Sequence, residues 1–489
     1  MDLIERINHW AELAPDRLAH ISADQSISYR DLREQTDTLA TYFWRVLPHD
    51  HSPVAILGHK EPEMIVGFLG AVKSGHPYIP IDTSLPDQRI KSILEIAKAS
   101  PILTPEQIKT VLMDTDGRLK FDARQLNAQD PWYIIFTSGS TGEPKGVVIT
   151  KGCLESFVSW MLSEHSFIET GEVFLNQAPF SFDLSVMDLY PSLVTGATLF
   201  SLSKEVQAQT SLLFLTLAQS EISSWVSTPS FARLCLAESS FNQHMLPGLK
   251  RFLFCGETLA PAVAADLLDR FPNSEVWNTY GPTETTVATT SVKIDRRLVD
   301  RYSPLPIGYP KPDSAIYLFD ENGKPVDEGE QGEIMIAGPN LSPGYLNRPD
   351  LTARAFIHIG DVPVYRTGDC GHFQDGLLFF DGRIDDQIKL HGYRIELGDI
   401  EANLRQVPGI QDAAVLPVMK DGAAQNLAAF VILTEEMTVS DFEVTRSIKR
   451  ELKQRLPAYM LPHYFYYLKE FPMTPNGKVD RRRLAERLS

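Results

Sequence analysis

The chain has 489 residues, of which 43% are hydrophobic and 22% charged, and its formal net charge is -17. This length exceeds what one hydrophobic core usually organises, so we expect a large body with at least one smaller domain. The acidic balance excludes a broad nucleic-acid surface, which needs a basic footprint. No window offers the roughly 18 consecutive apolar residues of a membrane helix.

The first predicted element is an amphipathic helix at the N-terminus. Leu3, Ile7 and Trp10 lie at helical spacing within MDLIERINHWAEL rather than in one apolar block, so no signal peptide is predicted. The four cysteines are far apart and form no CxxC pair, which argues against a zinc site and a disulfide framework. We therefore expect a cytoplasmic protein.

Short apolar runs alternate with segments of helical period from residue 21 to residue 259, for example VAILG at 54–58. This alternation predicts a mostly parallel sheet covered by helices. Between residues 332 and 382, strands of alternating polarity joined by Gly and Asp turns predict a small antiparallel or barrel-like subdomain.

After Gly382 the pattern changes again and predicts a small α+β unit, with a boundary near residues 383–386. Its last long helix, near residues 441–456, is expected to turn Phe442, Ile448 and Leu452 inward. The sequence therefore predicts an α/β fold with a large N-terminal body of several subdomains and a small C-terminal domain.

The most informative segment is an apolar strand that runs into a loop of small and hydroxyl residues, YIIFTSGSTGEPKGVV at 133–148. Such a loop can surround phosphate oxygens with backbone N–H groups, hydroxyls and one ammonium. It is not a Walker A loop, because Lys145 lies between Pro144 and Gly146 and does not open a helix. A plain turn between strands is the alternative. The candidate phosphate contacts are Thr137, Ser138, Gly139, Ser140, Thr141, Gly142 and Lys145.

This loop resembles the phosphate loop of the adenylate-forming superfamily, which includes acyl-CoA synthetases, luciferases and peptide-synthetase adenylation domains. The resemblance implies that superfamily's fold, ATP and Mg²⁺ as cofactors, and activation of a carboxylate as an acyl-AMP. Seven further motifs follow in the superfamily's order: NTYGPTE (278–284), GEI (332–334), GYL (344–346), YRTGD (365–369), GRIDDQIK (382–389), HGYRIE (391–396) and NGKVD (476–480).

The resemblance also implies a division of labour between domains. Residues 1–382 are the expected body that binds ATP and the amino acid, 383–385 the hinge with Asp385 as its pivot, and 386–489 a mobile catalytic domain. Rotation about the hinge would turn the loop near Gly392 toward an entering thiol, so that one site serves two reactions.

A carboxylate that attacks the α-phosphorus of ATP meets a negatively charged electrophile, so catalysis depends mainly on charge neutralisation and positioning. By resemblance, Lys478 bridges the substrate carboxylate and the phosphate, while Glu284 holds Mg²⁺ with help from Thr283. A solvated lysine is the alternative for Lys478. The expected catalytic residues are Lys478, Lys145, Arg383 and Glu284.

Nucleotide contacts are also expected from four of the other motifs. Asp369 offers two acceptor oxygens to the ribose hydroxyls, Tyr280 an aromatic face to adenine and Asn278 an edge hydrogen bond. The alternatives are a capped turn with a core tyrosine and, for Arg383, an ordinary salt bridge. Besides the loop, the expected ATP contacts are Asn278, Thr279, Tyr280, Gly281, Thr283, Asp369, Arg383 and Lys478.

Asp183 lies among apolar neighbours in QAPFSFDLSVMD (177–188), where a lone carboxylate is costly unless a cation pairs with it. The α-ammonium of an amino acid would supply that cation, which makes an acyl-CoA synthetase the weaker interpretation. An Asp that pairs with an internal Arg or caps a helix is the alternative. The pocket positions carried over from the resemblance are Asp183, Leu184, Met187, Val226, Leu253, Cys255, Thr279, Val287, Ala288 and Lys478.

These positions describe a small apolar cavity with one anionic end, fit for alanine or a slightly larger amino acid. Longer phrases, such as GHKEPEMIVGFLGAVKSGHPYIPID at 58–82, are similar to the branch of the superfamily that activates D-alanine for teichoic acid esterification. Val226 departs from that branch, where we expect threonine. The implied partners are D-alanine and a phosphopantetheinylated carrier protein, with no nucleic acid and no membrane insertion.

Two other interpretations stay open. One is activation of L-alanine, L-proline or another small amino acid for a natural product, and the other is a catalytically silent binding module. For a carrier protein, the basic run Arg481-Arg-Arg483 is a candidate docking patch, and a solvated basic tail is the alternative.

Overall fold

The computed structural model describes residues 2–47, 50–114, 126–139, 142–167, 171–390, 392–420, 423–434, 440–473 and 479–488. The chain divides into two compact units, and the division nearest the predicted hinge falls between residues 384 and 385. The first unit comprises Met1–Thr83, Ala97–Ile135 and Gly146–Ile384. The second comprises Ser84–Ile96, Phe136–Lys145 and Asp385–Ser489. The sequence pattern had assigned residues 84–96 and 136–145 to the body, because local periodicity carries no information on which distant segments they contact.

The helices are α1 (Leu3–Leu13), α2 (Tyr29–Val46), α3 (Pro62–Lys73), α4 (Asp87–Ala97), α5 (Pro105–Asp114), α6 (Lys151–Glu164), α7 (Val186–Val194), α8 (Lys204–Ala208), α9 (Thr210–Gln219), α10 (Pro229–Leu236), α11 (Pro261–Arg270), α12 (Arg296–Arg301), α13 (Pro349–Ala355), α14 (Leu397–Arg405), α15 (Asp441–Leu452) and α16 (Arg481–Ala485).

The strands of the first half are β1 (Leu18–Ser22), β2 (Gln25–Ser28), β3 (Val54–Gly58), β4 (Tyr78–Asp82), β5 (Ile102–Leu103), β6 (Pro131–Thr137), β7 (Lys145–Thr150), β8 (Val173–Asn176), β9 (Thr198–Ser201), β10 (Ser224–Ser227), β11 (Arg251–Phe254) and β12 (Glu275–Tyr280). Those of the second half are β13 (Thr290–Ile294), β14 (Tyr309–Pro310), β15 (Ala315–Phe319), β16 (Gly332–Ala337), β17 (Gly344–Tyr345), β18 (Phe356–Ile359), β19 (Val362–Gln374), β20 (Leu377–Arg383), β21 (Gln387–Leu390), β22 (Tyr393–Glu396), β23 (Ile410–Lys420), β24 (Ala423–Leu433) and β25 (Tyr464–Leu468).

The largest sheet has nine strands in the order β14-β13-β12-β11-β10-β8-β9-β1-β2. Its centre, from β12 to β1, is parallel, and antiparallel strands β13 and β2 flank it. Parallel strands place their carboxyl ends at one edge, where ligands usually bind. The loops after β8, β10, β11 and β12 therefore meet at that edge.

A second sheet has six strands in the order β17-β7-β6-β4-β3-β5. Strands β3, β4 and β5 pair in parallel, as the pattern of VAILG and its neighbours predicts. Side-chain caps begin several helices: the Asp2 carboxylate accepts from the N–H of Ile4, and the Thr150 side chain accepts from the N–H of Cys153.

The predicted antiparallel subdomain is a five-stranded sheet built from β15, β16, β19, β18 and β20. Strand β19 pairs with β16 on one side and with β18 and β20 along its length, with an irregularity between Cys370 and Gly371. This sheet carries Asp369 and Arg383 on neighbouring strands.

In the second unit, β23, β24 and β25 form one sheet, and residues of α14 and α15 share an apolar core with it. A capping box at Ser440 and Glu443 begins α15. The inward face of α15 consists of Val444, Ile448 and Leu452. The expectation for Phe442 was wrong: this side chain is 74% exposed, because it lies off the i, i+4 row of the buried residues.

Within the described ranges, no helix combines the length and the apolar character that crossing a membrane requires. All four cysteines lie in these ranges and none forms a disulfide, in agreement with the sequence.

Phe252→Ala should lower the free energy of unfolding by about 3–5 kcal/mol, because the ring is fully buried in β11 and its removal leaves a cavity. The ring packs against Trp225 at 5.6 Å and Phe271 at 5.0 Å between centroids. Urea denaturation followed by tryptophan fluorescence measures the change. Leu215→Ala, at a side chain that is 57% exposed, is the control and should stay within about 0.5 kcal/mol of the unmodified chain. Equal midpoints for both variants would contradict this packing.

Candidate active site

The apolar pocket candidates lie around the carboxyl ends of neighbouring parallel strands. Val226 on β10 is paired in register with Leu253 on β11, and Cys255 follows directly after β11. The structure thus brings together residues that are far apart in the sequence. One continuous buried cluster contains Leu184, Met187, Val226, Leu253, Cys255, Val287 and Ala288.

Two polar groups at this cluster are engaged with the backbone. The Cys255 thiol donates to the Val287 carbonyl oxygen at 3.6 Å, and only 4% of Cys255 is exposed. The Thr279 hydroxyl donates to the Phe254 carbonyl oxygen at 2.8 Å. Thr279 therefore stabilises the end of β11, and its methyl group is the part left for packing.

Asp183 begins a 3-10 turn, Asp183–Ser185, that leads directly into α7. It is half-buried, whereas the following Leu184 is buried. Burial, and next the Asp183 carboxylate, raise the pKa of Tyr133 well above its usual range. The Tyr133 hydroxyl is buried and has no hydrogen-bond partner among the described residues. Sequence reasoning missed this tyrosine because it read the strand only as the approach to the phosphate loop.

Asp369 lies at the meeting point of two sheets of the first unit. Its Oδ2 accepts from the Tyr280 hydroxyl at 2.6 Å, and its Oδ1 accepts from Arg383 Nη1 at 2.6 Å. Only 3% of Asp369 is exposed. Burial, followed by the charge of Asp369, raises the pKa of Tyr280 well above its usual range, so this phenol stays protonated and donates. The Arg383 salt bridge that the sequence left as an alternative is therefore present.

The neighbouring nucleotide candidates are also constrained by backbone contacts. The Asn278 side chain donates from Nδ2 to the Pro306 carbonyl oxygen at 2.7 Å. A Cβ at Gly281 would meet Ala288 Cα at 2.6 Å, so only glycine permits this approach of two backbone segments. The Asn278 hydrogen bond and the close approach at Gly281 together constrain the backbone between β12 and the loop that carries Thr283 and Glu284.

Glu284 is fully buried in the 3-10 turn Thr283–Thr285. The Tyr345 hydroxyl donates to Glu284 Oε1 at 2.7 Å, and the Ser342 N–H donates to the Glu284 carbonyl oxygen at 2.9 Å. The GYL motif contains Tyr345, but the sequence alone gives it no role. Within the described part of the chain, no group of three or more His, Cys, Asp or Glu side chains could hold a metal ion.

The phosphate-loop candidates belong to the second unit. The Thr137 hydroxyl is buried without a hydrogen-bond partner among the described residues, so it is available to a ligand. Ser138 donates to the Arg394 carbonyl oxygen at 2.9 Å and accepts from the Glu396 N–H at 3.1 Å. A Cβ at Gly139 would collide with the Glu143 carbonyl oxygen, so the tight loop requires glycine there.

Charged groups of β22 and α14 surround the same loop. Lys145 Nζ lies 3.9 Å from Glu396 Oε1. Arg89 Nη2 of α4 pairs with Asp399 Oδ2 at 3.1 Å, and Arg89 Nη1 donates to the Gly142 carbonyl oxygen at 3.4 Å. Burial raises the pKa of Asp399, and Arg89 opposes that rise. The sequence analysis did not identify Arg89 or Asp399, since no motif links residues that are so far apart.

Three predicted residues, Ser140, Thr141 and Lys478, lie outside the described residues, so their expected contacts stay predictions.

Asp385 begins the C-terminal part of the second unit, and its Oδ1 accepts from the Gln387 N–H at 3.1 Å. Arg481 pairs with Glu401 at 2.7 Å and Asp386 at 3.2 Å. One cation of the suggested docking run is therefore already engaged within its own unit.

Comparison with known proteins identifies two family matches. Residues 7–346 match the family described as AMP-binding enzyme, and residues 399–478 match its C-terminal domain. The chain is 45% identical over 504 residues to a D-alanine--D-alanyl carrier protein ligase of Bacillus cereus (strain G9842), covering 100% of both chains.

Solved structures confirm the predicted fold class. The Vibrio cholerae adenylation domain AlmE, in complex with glycyl-adenosine-5'-phosphate, has a TM-score of 0.85 and 23% identity, with 99% of this chain and 98% of that chain covered. An NRPS protein containing adenylation and PCP domains has a TM-score of 0.81 and 26% identity, with coverages of 99% and 84%.

Asp369→Asn should weaken binding of AMP by roughly 10- to 150-fold, because a hydrogen bond to a charged group contributes about 1.5–3 kcal/mol. Asparagine keeps the shape but loses the charge that holds Arg383. Isothermal titration with AMP measures the effect. The matched control is Asp381→Asn on the neighbouring strand, whose carboxylate pairs with His372 at 2.7 Å. AMP affinity that is equal in both variants would rule out Asp369 as a nucleotide ligand.

Proposed function

Since this chain belongs to the family of AMP-binding enzymes, we propose that it activates D-alanine as D-alanyl-AMP with release of pyrophosphate. It then transfers the D-alanyl group to the phosphopantetheine thiol of a carrier protein. The observation that carries the proposal is the 45% identity over the full length to a ligase of that name. The acceptor pathway, esterification of teichoic acid or another envelope polymer, and the cytoplasmic location are parts of the same proposal.

The amino acid is proposed to lie with its ammonium at Asp183 and its side chain in the apolar cluster. A carboxylate among apolar groups is stabilised by a cation, and the α-ammonium of the amino acid supplies one. An alanine analogue that lacks the amine cannot supply this cation. Val226, Leu253 and Met187 are fully buried, which supports a small substrate. Tyr133 adds one buried hydroxyl near the Asp183 charge.

The nucleotide is proposed to bind through Asp369, Tyr280 and Asn278, with its phosphates at Thr137 and the rest of the loop. Asp369 already accepts from a phenol and a guanidinium, and a carboxylate has further lone pairs for the ribose hydroxyls. Arg383 is placed beside the ribose and phosphate in this proposal. Its guanidinium donates to Asp369 Oδ1 and orients that carboxylate.

Mg²⁺ fits the residues at Glu284. This carboxylate is fully buried, and one of its oxygens is oriented by the Tyr345 hydroxyl. Mg²⁺ is commonly bound by one or two carboxylates together with substrate phosphates, so a larger protein ligand set is not required. When bound, the ion neutralises phosphate charge, and the residues of the chain position the substrate carboxylate for in-line attack.

Lys145 and Lys478 are proposed to supply the remaining positive charge. The Lys145 ammonium is 3.9 Å from Glu396, and phosphate oxygens would replace this carboxylate as its partner. For the transfer step, we propose that rotation about Asp385 exchanges Lys478 for the loop near Gly392. The thiol can then reach the D-alanyl-AMP at the same site.

D-alanine should support ATP–pyrophosphate exchange with a higher kcat/KM than any L-amino acid, because it alone is expected to fill the pocket without displacing a wall. A panel of D- and L-amino acids, including glycine, L-alanine and L-proline, measures this. Equal or better exchange with L-alanine or L-proline would assign the chain to another small amino acid.

Lys478→Ala should lower the exchange rate by a factor on the order of 10²–10³, and Lys453→Ala, at an exposed lysine, is the control.

Cys255→Ala should raise kcat/KM for L-alanine more than for D-alanine, because both enantiomers keep the ammonium and carboxylate contacts and differ in where the methyl group lies. Removing the sulfur leaves a hole of methyl size. A difference of one methyl group is worth about 1–3 kcal/mol, or roughly 10- to 200-fold, in selectivity. The ratio of the two kcat/KM values is the measurement, with Cys235→Ala, at a buried cysteine in α10, as the control. If the ratio does not change in a folded variant, handedness is read by other residues, with Val226 and Thr279 next.

A further inference from the structure

The turn between β12 and β13 has an unusual backbone conformation. Thr286 has φ 57° and Val287 has φ 70°, in the left-handed region that β-branched residues avoid. The Ala288 N–H donates to the Thr286 carbonyl oxygen at 2.8 Å, which closes a γ-turn centred on Val287. A γ-turn whose central residue has positive φ is rare and strained. Such a conformation persists only where surrounding contacts hold it.

Asn340 supplies those contacts from outside the turn. Its Nδ2 donates to the Thr285 carbonyl oxygen at 2.6 Å and to Thr289 Oγ1 at 2.9 Å, so one amide spans the turn. The Thr286 hydroxyl in return donates to the Asn340 carbonyl oxygen at 2.8 Å. Asn340 and Thr286 are both fully buried. Water therefore offers no replacement for these hydrogen bonds.

The held conformation determines part of the pocket wall. The Val287 carbonyl oxygen accepts from the Cys255 thiol at 3.6 Å, and the side chains of Val287 and Ala288 belong to the apolar cluster. A return of Val287 to negative φ would rotate both its carbonyl group and its side chain. The Cys255 thiol would then lose this hydrogen bond.

We propose that Asn340 is a positioning residue for amino-acid selectivity, which it controls by keeping Val287 in the left-handed conformation. The inference rests on the proposed function, since it assumes that the cluster around Cys255 receives the amino-acid side chain. Asn340 is not among the residues proposed to bind either substrate, and its side chain instead contacts the turn.

The nucleotide side of the loop is held separately. Glu284 is bound through its carbonyl oxygen by the Ser342 N–H and through its carboxylate by Tyr345. These contacts do not involve the Asn340 side chain. Loss of the Asn340 amide should therefore change the amino-acid site more than the ATP site.

The experiment measures kcat/KM for D-alanine and L-alanine by pyrophosphate exchange, together with KM for ATP, in Asn340→Ala. We expect the ratio of kcat/KM for D-alanine to kcat/KM for L-alanine (the D/L ratio) to fall by about tenfold or more. A selectivity change of this size is typical of one misplaced methyl contact. KM for D-alanine should rise by a larger factor than KM for ATP. The control is Ser274→Ala, which removes a buried hydroxyl that donates to the Leu249 carbonyl oxygen at 2.7 Å elsewhere in the same unit and should keep the ratio.

A second pair of variants separates a positioning role from a general loss of stability. Ser314→Ala removes the hydroxyl that donates to Asn340 Oδ1 at 3.1 Å but leaves both Nδ2 hydrogen bonds across the turn, so it should keep the D/L ratio. If Asn340→Ala does not fold, Asn340→Asp gives the same test, because it keeps the size and replaces the donor with an acceptor.

A folded Asn340 variant with an unchanged D/L ratio would overturn the inference, as would equal increases in both KM values or a Ser314→Ala variant that loses as much selectivity as Asn340→Ala. Failure of the proposed function has a different signature. In that case the unmodified chain shows no exchange that depends on D-alanine.

Discussion

A buried carboxylate needs cationic or hydrogen-bond partners, and Asp369 meets this requirement by joining two sheets of the first unit. Tyr280 comes from the end of β12 in the nine-stranded sheet, and Arg383 comes from the end of β20 in the five-stranded sheet. Removing either partner would leave a charge with 3% exposure less well compensated. The same three side chains thus stabilise the junction and are the ones proposed to contact the nucleotide.

The loop after β12 depends in turn on the segment that connects β16 to β17. Asn340 spans the strained turn at Val287, and Ser342 with Tyr345 holds Glu284. One stretch of chain therefore supports the carboxylate proposed for Mg²⁺ and the apolar wall proposed for the amino acid. Hydrogen bonding in this stretch therefore links the two proposed sites physically.

The phosphate loop is organised differently, because its closest polar partners belong to β22 and α14. Ser138 exchanges hydrogen bonds with the backbone of β22, and Lys145 lies near Glu396. The buried Asp399 pairs with Arg89, which also donates to the loop at Gly142. A cation and a carboxylate held this close give the loop defined partners within its own unit. In the proposed function, phosphate competes with Glu396 for Lys145.

The amino-acid sequence alone predicted the family, the fold class and most of the candidate residues, because short motifs such as YRTGD and NTYGPTE carry their chemistry locally and apolar periodicity reports burial directly. It was wrong where burial depends on the exact face of a helix, as at Phe442. Tertiary structure alone decided that residues 84–96 and 136–145 pack with the C-terminal part. It also revealed Tyr133, Tyr345 and Asn340. The roles of Asn340 and Tyr345 come from hydrogen bonds to residues 55 and 61 positions away, and no local pattern encodes a contact whose two ends meet only after the sheets have formed.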